Sequence, residues 1–170
     1  KTTGWIGYTL SWNNRTFKDI NGGKTFPFRF DRRHDISLVV SHEINDKISL
    51  SGAWVYGTGN AITLPITQYP IDSPIYDWNI IETNGEKNAF RMSDYHRLDL
   101  SVEFYKKKRK YERWWVISVY NTYWNANPYF VYSDRQVKRD PNGNIIEDKK
   151  VFKEVSVLPI IPSVAYKFKF

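Results

Sequence analysis

The stretch from residue 66 to 95 carries the side chains best suited to hold a small ligand. Its rings include Tyr69, Tyr76 and Trp78, and they are interspersed with hydrogen-bonding groups such as Asp77. Rings offer flat stacking faces, and a few polar groups orient a bound ligand. We therefore predict a loop that binds a sugar or peptide through Tyr69, Tyr76, Asp77 and Trp78. An aromatic loop that packs on itself and on a neighbouring loop explains the same residues equally well.

A second candidate is a basic run. Six Lys and Arg lie between residues 106 and 113, where Glu112 is the only acid. With Tyr105, Tyr111 and Trp114 nearby, the run could bind a nucleic acid by phosphate pairing and base stacking. We favour a tight turn whose lysines meet water or lipid phosphates, and we predict no nucleic-acid partner.

The histidines do not predict a metal site. His34 and His42 lie at opposite ends of one predicted strand, roughly 25 Å apart at ~3.3 Å per residue. We therefore predict a hydrogen-bonded histidine near a strand end, and no metal or cofactor. Ser41, His42 and Glu43 form no catalytic triad, because adjacent strand residues point to opposite faces. We predict that the chain is not an enzyme.

Composition limits the class of protein. The chain has 170 residues, of which 41% are hydrophobic and 17% aromatic, and it carries a net charge of +7. So many rings argue against disorder. No stretch approaches the ~18 consecutive apolar residues of a spanning helix, which excludes a helical membrane protein. The absence of cysteine excludes disulfides, thiolate zinc sites and cysteine nucleophiles.

Hydrophobic residues recur with a period of two, which is typical of strands with one apolar face. The segment from 97 to 104 is the clearest, since Leu98, Leu100, Val102 and Phe104 alternate with polar residues. We predict six strands near residues 6–12, 35–41, 48–57, 97–104, 114–124 and 163–170. We expect the charged residues on the opposite face of the fourth strand to face a polar lumen or plug, or to pair with one another or with plug residues. They are Arg97, Asp99 and Glu103.

The connections between these strands alternate in length. Asn45 and Asp46 join the second and third strands, and the basic run joins the fourth and fifth, whereas residues 18–32, 62–95 and about 133–150 form long connections. In an antiparallel up-and-down sheet, tight turns then lie at one rim and long loops at the other. This arrangement is typical of an outer-membrane β-barrel. The strand lengths also fit the ~9–11 residues of a tilted spanning strand.

Six strands are too few to close such a barrel, because the smallest known barrels have eight. We therefore expect the chain to be a piece whose missing part is N-terminal, since the first strand starts almost at Lys1 without a leader. Alternatively, further strands lie around residues 129–132 and 152–158, or these segments extend the fifth and sixth strands.

Several segments resemble the C-terminal strands of TonB-dependent outer-membrane receptors, most closely the Bacteroidetes-type branch. They are FPFRFDRRHD (26–35), AWVYGTGNA (53–61), YHRLDL (95–100), VYN (119–121) with NPY (127–129), and the terminal YKFKF (166–170). The resemblance implies about six C-terminal strands of a 22-stranded antiparallel barrel, with long loops extracellular and the C-terminus periplasmic. It also implies that Tyr166, Phe168 and Phe170 form an assembly signal.

The same resemblance implies import of an oligosaccharide, peptide or chelated metal, driven by the TonB complex through a plug domain. Expected partners are the rest of the barrel, its plug, outer-membrane lipid and the barrel assembly machinery. The resemblance allows a surface lipoprotein lid as a further partner. Two alternatives remain at this point. The chain could be a barrel C-terminus captured as a substrate of the assembly machinery, or a soluble β-barrel or sandwich that binds a small ligand.

Overall fold

The computed structural model describes residues 1–71 and 79–170, with side chains described for all of these except 66–71 and 79–83. The fold is all-β, as predicted. No helix in the described part of the chain has the length and apolar character needed to cross a membrane. The strands are β1 (Thr2–Leu10), β2 (Asn14–Arg15), β3 (Phe26–Pro27), β4 (His34–Asn45), β5 (Ile48–Gly57), β6 (Ala61–Ile62), β7 (Pro65–Ile71), β8 (Asn79–Asn84), β9 (Phe90–Arg91), β10 (Tyr95–Lys107), β11 (Glu112–Tyr120), β12 (Phe130–Arg139), β13 (Ile145–Val155) and β14 (Ile161–Lys169).

Six of these strands form one antiparallel sheet in the order β1-β4-β5-β10-β11-β14. They are the six strands predicted from the period of two, and each pairs with its nearest neighbours along the chain, which confirms the up-and-down order. The described residues do not form a closed barrel, since β1 pairs only with β4 and β14 only with β11.

Two predicted strand ends and one predicted loop are wrong. The first strand ends at Leu10 instead of Trp12, and the fifth ends at Tyr120 instead of Trp124. The fifth stops early because Asn121 and Trp124 both adopt a positive φ, which breaks an extended chain. Residues 133–150, predicted as a long loop, lie in the hairpin β12–β13.

The register places the apolar residues of all six strands on the same face. Leu38 lies opposite both Ile6 and Trp54, and Trp54 lies opposite Leu98. A second row lies four residues further along β10, where Val102 is opposite Leu50 and Ile117. Because directly opposed residues of an antiparallel pair point to one side, these pairs define one apolar face across the sheet. The other face is mostly Ser, Thr, Gly, Ala and charged residues, with some rings such as Trp5 and Trp114.

Nothing in the described part of the chain covers this apolar face. Leu50, Leu100 and Ile117 remain 44%, 43% and 42% exposed although they lie in the interior of their strands. The chain exposes 12783 Å², whereas a folded monomer of its 20.2 kDa is expected to expose about 8,800 Å². Among the described residues, the buried apolar side chains are Phe26, Ala61 and Met92, all in the long connections.

Rings occupy both ends of the apolar face. At one end Trp54 stacks with Tyr56 at 6.1 Å, and His96 contacts Tyr123 at 5.6 Å between centroids. At the other end Trp115 packs on Tyr166 at 4.7 Å. The two rows are eight residues apart along β10, from His96 to Phe104, which corresponds to about 27 Å at ~3.4 Å per residue. A band of aliphatic side chains lies between them.

The short and long connections lie at opposite ends of the sheet, as the sequence predicts. Asp46 and Lys47 separate β4 from β5, and residues 108–111 separate β10 from β11. Residues 11–33, 58–94 and 121–160 form the first, second and third connections at the other end, which we call the loop rim. The smaller strand pairs all belong to these three connections.

Gly59 illustrates how closely the second connection packs at its base. A Cβ placed on Gly59 would lie 1.7 Å from the carbonyl oxygen of Met92 and 2.9 Å from that of Ser93. We expect Gly59→Ala to lower the free energy of unfolding by about 1–3 kcal/mol, because backbone atoms cannot move aside as a side chain can. Gly7→Ala is the matched control, since its Cβ meets only the movable Trp5 ring, at 3.3 Å. Equal unfolding midpoints in urea for both variants would contradict this packing.

Candidate functional site

The buried carboxylate of Asp31 joins the first connection to the second. Its side chain is 0% exposed, and it accepts a hydrogen bond of 2.6 Å from the backbone N–H of Asn13. The Arg91 guanidinium donates to the same carboxylate and also to the backbone oxygens of Asp31 and Gly59, at 2.6 and 3.1 Å. Arg33 adds a second cation 3.7 Å away. One buried acid therefore joins the two connections through residues that are 60 positions apart in the sequence.

The charge of Asp31 is stabilised in spite of its burial. Burial raises the pKa of this carboxyl, but the N–H of Asn13 and the guanidinium of Arg91 lower it more, so the pKa of Asp31 lies below its usual value. The carboxylate form is therefore present in the folded protein at neutral pH, and the ion pair with Arg91 is intact.

A second set of hydrogen bonds holds the same two connections together. The buried amide of Asn88 donates to the backbone oxygen of Pro27 at 2.9 Å, and its N–H donates to Thr63 Oγ1 at 3.0 Å. Lys24 forms an ion pair of 2.6 Å with Glu86. That pair is exposed, so its contribution to stability is small. The buried amide bonds therefore carry most of this attachment.

The third connection is attached to the second at several points. Glu154 Oε1 accepts a bond of 2.8 Å from the N–H of Ser93, and Lys150 Nζ donates to the backbone oxygen of Pro65 at 3.1 Å. Asn127 Oδ1 accepts from the N–H of His96 at 2.9 Å. Asn121, which is fully buried, donates to the backbone oxygens of Asn125 and Leu158. The loop rim is therefore one connected unit.

Within this unit the hairpin β12–β13 pairs most of its own charges. Lys153 Nζ contacts Asp134, Arg135 contacts Asp148, and Lys138 contacts Glu147 at 2.7 Å. The hydrogen bond from Lys153 lowers the pKa of Asp134 below its usual value. These exposed pairs stabilise the hairpin weakly, but they neutralise its charge across the two strands.

A cavity of about 570 Å³ lies where the three connections meet, and we call it the rim cavity. The first connection contributes Arg29, the second contributes residues 61–65 with Lys87, Asn88 and Met92, and the third contributes the hairpin. The hairpin wall consists of Tyr129, Phe130, Val131, Tyr132, Ser133 and Phe152. The described residues that line the cavity include no acid. Its volume falls within the ~300–1,000 Å³ of small-molecule sites.

The predicted ligand-binding residues are not tested by the structure. Tyr76, Asp77 and Trp78 lie outside the described residues, and Tyr69 is described only as part of the backbone of β7. Within the predicted loop, Lys87, Asn88 and Met92 line the rim cavity, as does Pro65 just before the loop.

The charged residues of β10 lie on the polar face of the sheet. Arg97 Nε is 2.9 Å from Asp99, and Arg97 also donates to the hydroxyls of Tyr95 and Tyr120 at 2.8 and 2.7 Å. Arg97 and Asp99 therefore pair with each other, one of the two roles expected for them. Glu103 is separate and lines a different cavity of about 560 Å³ at the tight-turn end.

The end of the chain lies on the apolar face beside the tight turns. Tyr166 and Phe168 are exposed members of β14, and Phe170 follows at 90% exposure. The basic run forms the turn between β10 and β11, as predicted, with one exposed pair of 3.7 Å between Lys107 and Glu112. These features place rings and cations side by side at this end of the sheet.

The histidines each hydrogen-bond one hydroxyl group. Nδ1 of His34 lies 2.9 Å from the hydroxyl of Tyr8, Nδ1 of His42 lies 2.7 Å from that of Thr2, and Nδ1 of His96 lies 2.9 Å from that of Tyr123. Among the side chains that the structure describes, no three from His, Asp or Glu come together as metal ligands.

Sequence reasoning missed Arg29, Asp31, Lys87, Asn88 and Arg91 as site residues, although the segment around Arg29 and Asp31 was singled out for its resemblance. The bond partners of Asn88 and the pairing of Asp31 with Arg91 span 25 to 61 residues of the chain. No local period or spacing marks such pairs. The turn residues Asp140, Asn142 and Gly143 would have identified the hairpin, because such residues favour tight turns.

We expect Asp31→Asn to lower the free energy of unfolding by about 1.5–3 kcal/mol at pH 7, because it removes the charged acceptor of Arg91. A carboxyl with a lowered pKa stabilises the fold above its unfolded pKa of ~3.9, and this contribution is lost as the pH falls through the lower folded value. The difference between wild type and variant should therefore shrink below about pH 4. Urea unfolding from pH 7 to 3 measures it, with the exposed Asp19→Asn as control. A difference that stays constant would contradict the role of the carboxylate.

The chain was compared with protein-family models, with curated proteins and with solved structures, and none of them matches. The resemblance to TonB-dependent receptors therefore rests on the quoted sequence segments.

Proposed function

We propose that this chain supplies six membrane-spanning strands to an outer-membrane, TonB-dependent transporter that imports a nutrient. The observation that carries the proposal is the uncovered apolar face shared by all six strands. A sheet in water buries such a face against a second layer. In hydrocarbon the same side chains are the favoured surface, and the polar face is turned to the lumen.

The extent of the exposed face supports a lipid contact. Contiguous apolar patches on soluble monomers rarely exceed about 300–600 Å². Here exposed apolar side chains continue from Ile6 in the first strand through Leu38, Leu50 and Leu100 to Val164 in the last. The soluble ligand-binding alternative requires a layer over this face, and the described residues provide none.

The distance between the two rows of rings agrees with the thickness of the apolar band that a spanning strand must cross. They are about 27 Å apart along β10, which becomes ~21 Å across the membrane for a strand tilted by ~40°. The apolar band of outer-membrane barrels is ~25 Å tall and has aromatic residues at both interfaces. Leu100 lies midway between the rows, at the same distance from His96 and Phe104.

The two open edges of the sheet require further strands to pair with them. In hydrocarbon each unpaired backbone group costs several kcal/mol, so β1 and β14 both need a further strand. The remaining strands of the barrel provide them in this proposal. The plug domain would then meet the polar face, where Arg97, Asp99 and Glu103 lie, and would connect the barrel to the TonB complex.

The orientation follows from the rims. The loop rim with its cavity faces the outside, where nutrients arrive, and a surface lipoprotein lid would cover this rim. The tight turns and the C-terminus face the periplasm. There the basic turn meets lipid phosphates, and the exposed rings of Tyr166, Phe168 and Phe170 are available to the barrel assembly machinery.

We expect Leu100→Arg, made in the protein encoded by the complete reading frame, to lower the free energy of unfolding in lipid vesicles by about 2–4 kcal/mol. A cation at the middle of the bilayer loses its hydration. Ser101→Arg is the matched control, because Ser101 is the next residue of β10 and lies on the polar face. Its effect should be within about 0.5 kcal/mol, as for other surface positions.

A nitroxide label on cysteines at the same two positions gives an independent measurement, since the chain has no natural cysteine. The label at 100 should be relaxed more by oxygen, which concentrates in lipid, and the label at 101 more by a polar nickel complex. Equal effects of both arginines, or the reverse order of relaxation, would remove the assignment of faces and with it the transporter proposal.

We expect deletion of Phe170 to reduce the amount of folded receptor in the outer membrane several-fold, with the loop rim of the inserted fraction unchanged. Assembly machinery that pairs with an exposed strand edge would read the rings of the last strand. Phe17→Ser, a ring of the first connection, is the control. Heat-modifiable mobility on gels measures the folded fraction. An unchanged fraction after the deletion would leave Phe170 as one more interfacial ring.

A further inference from the structure

The rim cavity differs from the rest of the loop rim in its charge. Two cations lie on its wall, Arg29 from the first connection and Lys87 from the second. Both are exposed, and neither side chain forms an ion pair with a described residue. The guanidinium carbon of Arg29 lies 5.6 Å from the centroid of the Phe30 ring.

Neither cation pairs with a described acid, although acids are close by in the chain. Glu86, the neighbour of Lys87, pairs with Lys24 instead. Asp31, two residues after Arg29, pairs with Arg91 and Arg33. In the hairpin β12–β13, Arg135, Lys138 and Lys153 all have acidic partners. Glu86, Asp31 and these hairpin acids are thus engaged elsewhere, and Arg29 and Lys87 make one side of the described wall positive.

The other side of the cavity is aromatic. Tyr129, Phe130, Tyr132 and Phe152 belong to the hairpin and are 73%, 46%, 42% and 40% exposed. Phe130 packs edge to face with Tyr129 at 6.0 Å, so the rings support each other while their outer surfaces are free. Exposed rings of this kind stack on flat apolar faces, such as the C–H face of a sugar ring.

We propose that the rim cavity binds an acidic saccharide, with its carboxylate or sulfate groups on Arg29 and Lys87 and its sugar rings on the hairpin. The guanidinium of Arg29 can hold such a group by two hydrogen bonds, and Lys87 adds a point charge. The described lining holds these two cations and no acid, which favours an anionic ligand. The volume of about 570 Å³ accommodates a few sugar units.

The inference deepens the proposed function and rests on it only for what happens to the ligand after binding. The wall is held by the contacts of Asp31 and Asn88, which do not depend on a membrane. Binding to protein in detergent therefore tests the cavity alone, whereas the two arginine substitutions in β10 test the membrane assignment alone.

The experiment uses protein made from the complete reading frame and purified in detergent, with calorimetric titration of two probes. One probe is a trimer of β-1,4-linked glucuronate, and the other is cellotriose, which has the same linkage and ring face without carboxylates. We expect the glucuronate trimer to bind at least 10-fold more tightly than cellotriose. Arg29→Gln and Lys87→Gln should each weaken its binding about 10-fold or more and leave binding of cellotriose unchanged.

Lys18→Gln is the control, because Lys18 is an exposed cation of the first connection that does not line the cavity. All variants should keep the heat-modifiable mobility of the wild type, which shows that they are folded. Equal affinity for the two trimers, no binding of the glucuronate trimer, or equal effects of Lys18→Gln and Arg29→Gln would each overturn the proposal.

Discussion

The whole arrangement depends on the strict two-residue alternation of a β-strand. A side chain cannot change face without a bulge, so the register of six strands decides where every apolar group goes. Here the register sends them to one face, with Leu38, Trp54 and Leu98 in a single row. The few buried apolar residues are in the connections, and the sheet therefore lacks a core of its own. It is stable only where its apolar face meets something other than water.

The loop rim is held differently, because its long connections bury few apolar side chains among the described residues. Buried polar groups hold them instead. The carboxylate of Asp31 and the amides of Asn88 and Asn121 are each fully or almost fully buried, and each has several partners. Hydrogen bonds between buried polar groups are directional, so a fully hydrogen-bonded set holds the loops in one arrangement. A rim held in this way can keep the rim cavity open before a ligand arrives, which reduces the ordering cost of binding.

The period of two was enough to predict the six strands, their antiparallel order and the segregation of short and long connections. These features are local, since one strand or one turn contains the whole signal. The early end of the fifth strand was missed because the positive φ of Asn121 serves its buried contacts with Asn125 and Leu158. The hairpin β12–β13 was missed as a unit because its strands are mostly polar, and charge pairing does not produce a hydrophobic period. The partners of Asp31 could not be predicted from the sequence, because they depend on how two connections meet in space.

The charges show that the two ends of the sheet are built for different surroundings. At the loop rim most ions are paired, and the net positive charge of the chain does not accumulate in the hairpin. At the tight-turn end, Lys106 to Lys110 form a run whose single described pair is between Lys107 and Glu112. Lys167 and Lys169 of the last strand lie near the same end, on the polar face opposite Trp114 and Glu112. Long cationic side chains next to exposed rings fit the boundary where lipid phosphates lie above hydrocarbon. Arg29 and Lys87, which pair with no described acid, lie instead on the wall of the rim cavity at the opposite end, where a soluble anion rather than a headgroup can reach them. In the proposed orientation, each end therefore attracts negative charge, but the tight-turn end holds the protein in the membrane and the loop rim selects its ligand.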